Sequence, residues 1–433
     1  MMKSTRKRQF VSAAVTSIPT QASVRIAVDQ WISSTWDPNM GLLAWREEFV
    51  SSGWAVPSWP VQWHGRGLPA WADAVVADAL RAAGAVGQPL GGGMSLAAPT
   101  LLEHGSDALR TRLLRPTLTG ELTWCQLFSE PGAGSDLASL TTTAVRDGDE
   151  WIVNGQKVWN TSAHHADLGM LVARTSWDVP KHQGISYFVL PMHQPGVDVR
   201  PIRQMNQHSS FNEVFMTNVR IPADHLVGQL NDGWRIARTT LSHERGFATM
   251  RRPQFGKSGS PIGRTLAEAE AEAHEHFQTY VWYPQRAGRA DLVMSRAQTV
   301  GAHVDPLVRQ EIARLHSFVK ANEWTAARAR AARALGRPPG PEGSLGKLAA
   351  SEVARRAAAV HALISGASAM LCDGPDALDA VIAEVLVSTP AQSIAGGTDE
   401  IQRSIISEKI LGLPRDPVTD TDRAFRDVVQ GYS

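Results

Sequence analysis

Residues 128–136 read Phe128-Ser129-Glu130-Pro131-Gly132-Ala133-Gly134-Ser135-Asp136, and residues 154–161 read Asn154-Gly155-Gln156-Lys157-Val158-Trp159-Asn160-Thr161. In the first run, two glycines and an alanine let backbone come close to a flat ligand. Successive N–H groups there can point at carbonyl or phosphate oxygens, and Ser129 and Ser135 add hydroxyls that donate or accept. By itself the run reads equally as a plain glycine-rich loop between a helix and a barrel. The second run supplies context. Asn154-Gly155 is a strong short hairpin signal, so Trp151-Ile152-Val153 should lead into a turn and Lys157 to Ser162 should return. Trp159 and Thr161 are two apart on that strand and face one side. A strand tryptophan is ordinarily core. An indole and a hydroxyl on one face also suit a flat heteroaromatic ring, one stacking and the other hydrogen-bonding a ring nitrogen.

Outward from these runs the chain changes texture twice. Thr141 to Arg146 is short and β-branched, and Asp147-Gly148 follows as a turn. Gly169 to Arg174, Gly184 to Leu190 and Phe211 to Ile221 add strands, so residues 123–231 are expected to form a small antiparallel barrel or sandwich. Before it, a tail over residues 1–21 precedes an Ala- and Leu-rich helical region over 22–122, with Leu102, Leu109, Leu113 and Leu114 near helical spacing. Pro57-Ser58-Trp59-Pro60 breaks that region with a loop. Residues 232–433 return to helix. Ile312, Leu315 and Val319 share one face, as do Val353, Val360, Leu363, Ile364, Ala367 and Leu371. A Pro- and Gly-rich loop over 336–346 separates the two stripes. A last helix starts at Thr398 and stops near Gly412 and Pro414.

The 433 residues suit two or three packed domains. Hydrophobic residues make up 43% and charged residues 20%, an ordinary globular balance. A formal net charge of +1 gives no long-range argument for nucleic acid or an anionic membrane. Two cysteines, Cys125 and Cys372, exclude a disulfide framework and suit a reducing cytoplasm. No apolar stretch approaches the roughly 18 residues that span a bilayer. The basic start (Lys3, Arg6, Lys7, Arg8) and the apolar Phe10 to Val15 are too short for a signal sequence, so a tail before the fold is expected.

At this point the chain resembles the acyl-CoA dehydrogenase family. The run from Phe128 to Asp136 with Trp159 to Thr161 is similar to the family's two flavin-contacting segments. Phe211-Asn212-Glu213-Val214-Phe215 and Val219-Arg220-Ile221-Pro222 match its closing barrel strands. Gly397-Thr398-Asp399-Glu400-Ile401-Gln402-Arg403 matches its C-terminal helix. The likeness runs from roughly residue 30 to 415. It implies an α+β chain with an N-terminal α-helical domain, a central antiparallel β-barrel and a C-terminal four-helix bundle. FAD would lie between barrel and bundle and be completed by a neighbouring subunit. Gln126, Phe128, Ser129, Gly134 and Ser135 would line the flavin. Ser129 would reach its pyrimidine end, and Ser135 would also approach the pantetheine of CoA. Trp159 and Thr161 would contact the ring. Gly397, Thr398 and Glu400 sit at a helix N-terminus, where free N–H groups favour phosphate. The Glu400 carboxylate suits that site only if it turns away.

The resemblance also implies a reaction. A carboxylate takes the α-proton of an acyl-CoA thioester while the β-hydrogen leaves as hydride to flavin N5, giving the trans-2-enoyl-CoA. The thioester oxygen must be held by donors, and burial tunes the base towards neutrality. In many members the base is a Glu just before the Gly-Thr of the last helix. Here that position is Gly396. In other relatives it sits on the first helix of the bundle, and the matching stretch is Leu241-Ser242-His243-Glu244-Arg245-Gly246. Glu244 is therefore the expected base, and Arg245 a substrate-side arginine. Electron-transfer flavoprotein is the expected acceptor. The expected assembly is a homodimer, a homotetramer or a heterotetramer with a paralogue. The wording of the motifs is most similar to actinobacterial members, several of which act on bulky acyl groups such as steroid side chains.

Other signals carry less. Arg252-Pro253-Gln254-Phe255-Gly256-Lys257 is similar to a segment that grips FAD across a subunit interface, but it comes too soon after Arg245 and reads as a chance match. Arg309 is a weak substitute for the phosphate role. His361 to Ala367 lacks the glutamine often found there. His274-Glu275-His276 has no third ligand and reads as a solvated helical face rather than a metal site. His164-His165 reads as a hairpin-end pair, and Gly91-Gly92-Gly93 lacks a P-loop context. Two alternatives stay open: a non-catalytic subunit of a heteromeric dehydrogenase, favoured by Gly396 and the missing glutamine, and a flavin monooxygenase or oxidase on the same fold.

Overall fold

The computed structural model describes residues 19–246, 263–334, 337, 340–372, 377–415, 417 and 420–429. Of these, 19–88 and 263–270 form one compact unit and the remainder a second. The expected boundaries at 122 and 231 follow changes of secondary-structure type, whereas compactness divides the chain near residue 88.

The first unit carries α1 (Gln21–Thr35), α2 (Leu42–Ser51) and α3 (Trp71–Ala83). Thr20 starts α1 with a capping box: its side chain accepts from Ser23 N, and the Ser23 hydroxyl answers the Thr20 N–H. Trp45 is buried against Trp31, Trp36 and Phe49 at ring-centroid distances of 5.4, 4.6 and 5.9 Å, and its indole N–H donates to Val86 O at 2.8 Å.

In the second unit a π-helical turn, Gly93–Ala97, runs into α4 (Ala98–His104) and α5 (Asp107–Thr119), the latter capped by Ser106. The strands follow as β1 (Trp124–Leu127), β2 (Thr143–Asp147), β3 (Glu150–Thr161), β4 (Leu168–Arg174), β5 (Ile185–Pro191), β6 (Val197–Ile202), β7 (Phe211–Pro222) and β8 (Leu226–Val227). They form one sheet in the order β6-β7-β3-β2-β4-β5-β8, with β1 joined to β4. Most pairings are antiparallel as expected. β1 and the start of β2 run parallel to β4, so the sheet is mixed. Its interior is packed with Leu127, Val153, Leu171, Phe188, Val214 and Ile221.

The expected hairpin at Asn154-Gly155 does not form. β3 runs straight through it, and the turn lies at Asp147-Gly148, between β2 and β3. The reason is packing. A Cβ on Gly155 would stand 2.4 Å from Thr142 Oγ1 and 2.7 Å from its Cα, so the glycine serves a close approach rather than a turn. Asn154 instead holds a bulge on the neighbouring strand. Its Oδ1 accepts from Asn218 N at 2.8 Å, and Asn218 takes the left-handed conformation that asparagine tolerates.

The later helices are α6 (Gly233–Gly246), α7 (Arg264–Gln278), α8 (Tyr283–Arg286), α9 (Val293–Thr299), α10 (Pro306–Ala334), α11 (Gly343–Ser365), α12 (Ala377–Ser388), α13 (Pro390–Ile394), α14 (Asp399–Lys409) and α15 (Phe425–Val429). α6 packs on α4 and β5. α9, α10 and α11 share a core of Val293, Ala297, Val308, Leu315, Val360 and Ile364. The stripe predicted on α11 ends early. The helix stops at Ser365 and Gly366 turns left-handed, which leaves Leu371 outside it and 51% exposed, while Leu363, still in the helix, is 47% exposed. Leu378–Lys409 is long and apolar enough by composition to cross a membrane, against the expectation that no stretch comes close. It is three helices rather than one span, interrupted at Thr389 and at Gly396-Gly397 and packed through α12, α13 and α14 on α11.

Candidate functional site

The glycine-rich run folds as a tight turn that is fastened to β3. Glu130 N donates to Ala133 O and Ala133 N to Glu130 O, both at 3.0 Å, and Val158 N donates to Ser129 O at 2.9 Å. Lys157, wholly buried, donates to Phe128 O at 2.9 Å and to Glu130 Oε1 at 2.8 Å. The Glu130 carboxylate also accepts from Thr141 N, Thr141 Oγ1 and Thr142 N at 2.7, 2.9 and 2.9 Å. Burial alone would raise the Glu130 carboxyl; the Lys157 charge and these donors outweigh it and hold it at about 2. Burial pulls the Lys157 ammonium down to about 8 against the attraction of Glu130.

This fastening leaves the groups expected to face a ligand accessible. Ser129 is half-buried, Ser135 and Gly134 are exposed, and nothing lies within 4 Å of where a Cβ on Gly132 or Gly134 would sit. Gln126 offers its carbonyl to Asn160 Nδ2 at 2.8 Å, which ties β1 to β3. Phe128 is buried edge-on against Tyr187 at 5.9 Å. A second bulge sets two residues of β3, Val158 and Trp159, against one of β7. Trp159 consequently has φ of +64° and its indole is 58% exposed, edge-on to Phe211 at 5.8 Å. Asn160 turns inward and Thr161, half-buried, pairs with Phe211 across the strands. The Oδ1 atoms of Asn160 and Asn212 are buried acceptors with no protein donor.

Glu244 lies near the end of α6. Burial raises the Tyr283 phenol; Arg286 opposes that rise and the Glu244 carboxylate adds to it, so Glu244 stands within electrostatic reach of Tyr283. From Tyr283 an unbroken run of rings leads to Trp159: Tyr283 to Trp282 at 4.9 Å, Trp282 to Phe211 at 6.0 Å, Phe211 to Trp159 at 5.8 Å. The candidate base is therefore within electrostatic reach of one end of a run of rings whose other end is the exposed indole. The side chain of Arg245 and the segment Arg252 to Lys257 lie outside the described residues.

Gly397, Thr398 and Glu400 form a separate group packed on α11. Thr398 caps α14, its Oγ1 accepting from Ile401 N at 3.3 Å. Glu400 turns outward to Arg403 at 3.3 Å. Asp399, which sequence reasoning passed over, is buried between Lys347 at 3.4 Å and Arg355 at 2.8 Å. Gly396 and Gly397 are left-handed, at φ of +70° and +87°. Arg309 is exposed at the start of α10, and His361 is buried with Nε2 against Arg289 O at 3.0 Å. Among the described residues no three His, Cys, Asp or Glu side chains converge as a metal site would require. Glu130 and Lys157 carry no expected role in the sequence motifs. Their signal was a charged pair inside segments that otherwise read as loop and core.

FAD is compatible with the first group: an exposed indole, two accessible hydroxyls and open glycine backbone lie along one loop and one strand. The comparisons agree with that chemistry. The chain matches the acyl-CoA dehydrogenase N-terminal domain over residues 21–121, the middle domain over 125–219 and the C-terminal domain over 289–411. It is 37% identical over 369 residues to the acyl-CoA dehydrogenase FadE34 of Mycobacterium tuberculosis, covering 84% of this chain and 45% of that one. It is 34% identical over 379 residues to the acyl-CoA dehydrogenase IpdE1 of the same organism, covering 86% and 88%. The chain thus spans under half the length of FadE34 and most of IpdE1. Among solved structures, the ChsE4-ChsE5 complex from Mycobacterium tuberculosis aligns at a TM-score of 0.61 and 26% identity over 93% of this chain and 100% of that one. The Tcur3481-Tcur3483 steroid ACAD aligns at 0.61 and 25%, over 92% and 98%.

Proposed function

The chain belongs to the acyl-CoA dehydrogenase family, and on that premise we propose that it oxidises an acyl-CoA thioester to the trans-2-enoyl-CoA with Glu244 as its base. Bound FAD would supply the hydride acceptor. Ser129 and Thr161 would hold its ring by their hydroxyls, Trp159 would stack on it, and Gln126, Phe128 and Gly134 would shape the floor. Gly397, Thr398 and the N-terminus of α14 would favour its phosphates, with Glu400 turned away towards Arg403. Ser135 would meet the pantetheine and Arg245 the substrate side.

The observation that carries this reading is the run of rings from Trp159 to Tyr283, with the Glu244 carboxylate within electrostatic reach of the Tyr283 end. Glu244 is half-buried, and a carboxylate whose hydration is restricted is a stronger base towards a weakly acidic α-carbon. The similarity to the Tcur3481-Tcur3483 steroid ACAD supports a bulky, steroid-derived acyl group, and the ChsE4-ChsE5 complex supports assembly with a paralogue. Electron-transfer flavoprotein is the proposed acceptor, and two free cysteines fit the reducing cytoplasm.

The test is an absorbance spectrum of the purified chain before and after a panel of acyl-CoAs without oxygen. Flavin that bleaches in the native chain and stays oxidised in Glu244→Gln supports the enzyme and its base. A colourless chain, or flavin that no acyl-CoA reduces, assigns it instead to the non-catalytic subunit reading that Gly396 favours.

A further inference from the structure

The last described segment, 420–429, folds back onto the loop between β4 and β5, residues 175–184. Phe425 N donates to Val179 O at 3.0 Å and Arg426 N to Trp177 O at 3.1 Å. The Phe425 ring is 1% exposed. It stacks on Trp177 at 5.4 Å, and its other contact is the Arg174 guanidinium, 3.7 Å from the ring centroid. Arg426 pairs with Asp178.

That loop in turn grips the end of the glycine-rich run. Lys181 Nζ bridges two carboxylates, Asp136 Oδ2 and Asp420 Oδ2, each at 2.9 Å. Arg174 donates to Ala138 O, Leu140 O and Lys181 O at 2.6, 3.0 and 3.1 Å. On another side His182 lies edge-on to Trp234, at 4.8 Å, near the start of the helix that carries Glu244. Asp136 directly follows Ser135. One short segment thus braces a loop that touches both the substrate-facing hairpin and the helix of the base.

We propose that the C-terminal segment around Asp420 and Phe425 is a clamp that positions the Gly132–Asp136 turn, and with it Ser135, for the pantetheine arm of an acyl-CoA, Lys181 and Asp420 being positioning residues. The clamp rests on the function proposed above only for the identity of the ligand. An exposed loop of small residues has many conformations of similar energy, and a cation shared between its last residue and a distant segment removes some of them. That selection favours binding, because the ligand then orders less of the protein. It does not touch the reacting atoms, so it should act on KM and leave kcat in place.

The experiment uses Asp420→Asn, with Asp420→Glu as the conservative control, in the full-length flavin-loaded chain. Hydrogen exchange of residues 131–140 should speed up about tenfold in Asp420→Asn while β7 exchanges as before, and Asp420→Glu should recover most of the protection. With an acyl-CoA that reduces the native chain, KM should rise about tenfold and kcat stay within about twofold. Unchanged exchange over 131–140 overturns the clamp. Faster exchange with a fall in kcat and no change in KM overturns its role in holding CoA. If no acyl-CoA reduces the native chain, the proposed reaction fails, and the exchange result alone decides whether the clamp exists.

Discussion

Lys157 Nζ lies 2.8 Å from Glu130 Oε1, and the two side chains are 0% and 5% exposed. The pair joins the middle of β3 to the glycine-rich turn that opens the candidate site. Its remaining valences are filled by Phe128 O and by Thr141 and Thr142. A buried ion pair of this kind contributes little net energy over apolar residues of the same size, but breaking it leaves an uncompensated charge.

Lys157→Met should therefore destabilise the chain by about 3 kcal/mol, read as a lower urea midpoint. The double variant Glu130→Gln/Lys157→Met should recover more than half of that loss, because no charge is left behind. It should still lose flavin more readily than the native chain, since the turn is no longer pinned to β3. A double variant no more stable than Lys157→Met would show that the turn needs the charge itself.

The same pair sets an acid limb. Glu130 is held at about 2 instead of its ordinary 4.5. A carboxyl depressed in the folded state contributes stability that is complete above the unfolded value and is lost as pH falls towards the folded one. Stability should thus decline from about pH 5 to about pH 2 with one proton taken up at this site. Urea midpoints across that range should fall more steeply in the native chain than in the double variant.

The sequence exposed the fold where patterning and chemistry coincided. The strands from Gly169, Gly184 and Phe211 appear within a residue or two of their expected starts, because β-branched runs between turn residues have few other solutions. Asn154-Gly155 misled because the dipeptide is chosen by two unrelated constraints, a left-handed turn or a lack of room for Cβ, and only the position of Thr142 distinguishes them. The Leu363 to Leu371 part of the helical stripe misled because period alone does not show where a helix stops. Asp420 and Phe425 could not have been found from spacing, since they meet Lys181 and Trp177 across more than two hundred residues of chain. The run of rings from Trp159 to Tyr283 was equally hidden, as its members come from β3, β7 and the neighbourhood of α8.

Trp159 combines a left-handed backbone with an exposed indole. A non-glycine residue there carries roughly 1 kcal/mol of strain. Trp159→Gly should relieve that strain while giving up the buried part of the indole against Phe211, so the thermal midpoint should fall only modestly. Flavin content after gel filtration should fall sharply, because the stacking surface is gone. The two readouts moving apart is the expected result; a large drop in both would mean that the indole is a core residue.

Gly155→Ala tests the close approach directly. The new methyl would overlap Thr142 Oγ1 and Cα, and both strands are held by neighbours on each side. A loss of about 2–3 kcal/mol is expected from overpacking. Thr142→Ala in the same chain should return part of it by removing the Oγ1 that the new methyl would meet. An additive loss in the double variant would mean that the contact is not the cause.

Gly396 tests where the base belongs. Nothing lies within 4 Å of a Cβ there, so a side chain has room, but φ is +70°. The backbone penalty for an L-residue is about 1–2 kcal/mol. The carbonyls of Gly396 and Gly397 are also held by Gln402 Nε2 at 3.2 Å each, which resists a shift to a relaxed conformation. Gly396→Glu should therefore lower stability by about 1 kcal/mol and leave flavin reduction unchanged while Glu244 is present. In Glu244→Gln/Gly396→Glu, reduction by acyl-CoA should stay at least about a hundredfold below the native rate, since a general base supplies that much or more. The Glu244 carboxylate acts electrostatically on Tyr283, one end of the run of rings that ends at Trp159, which favours α6 over α14 as the place of the base. Recovery to within about tenfold of the native rate would move the base to position 396 and reduce Glu244 to an electrostatic neighbour of Tyr283.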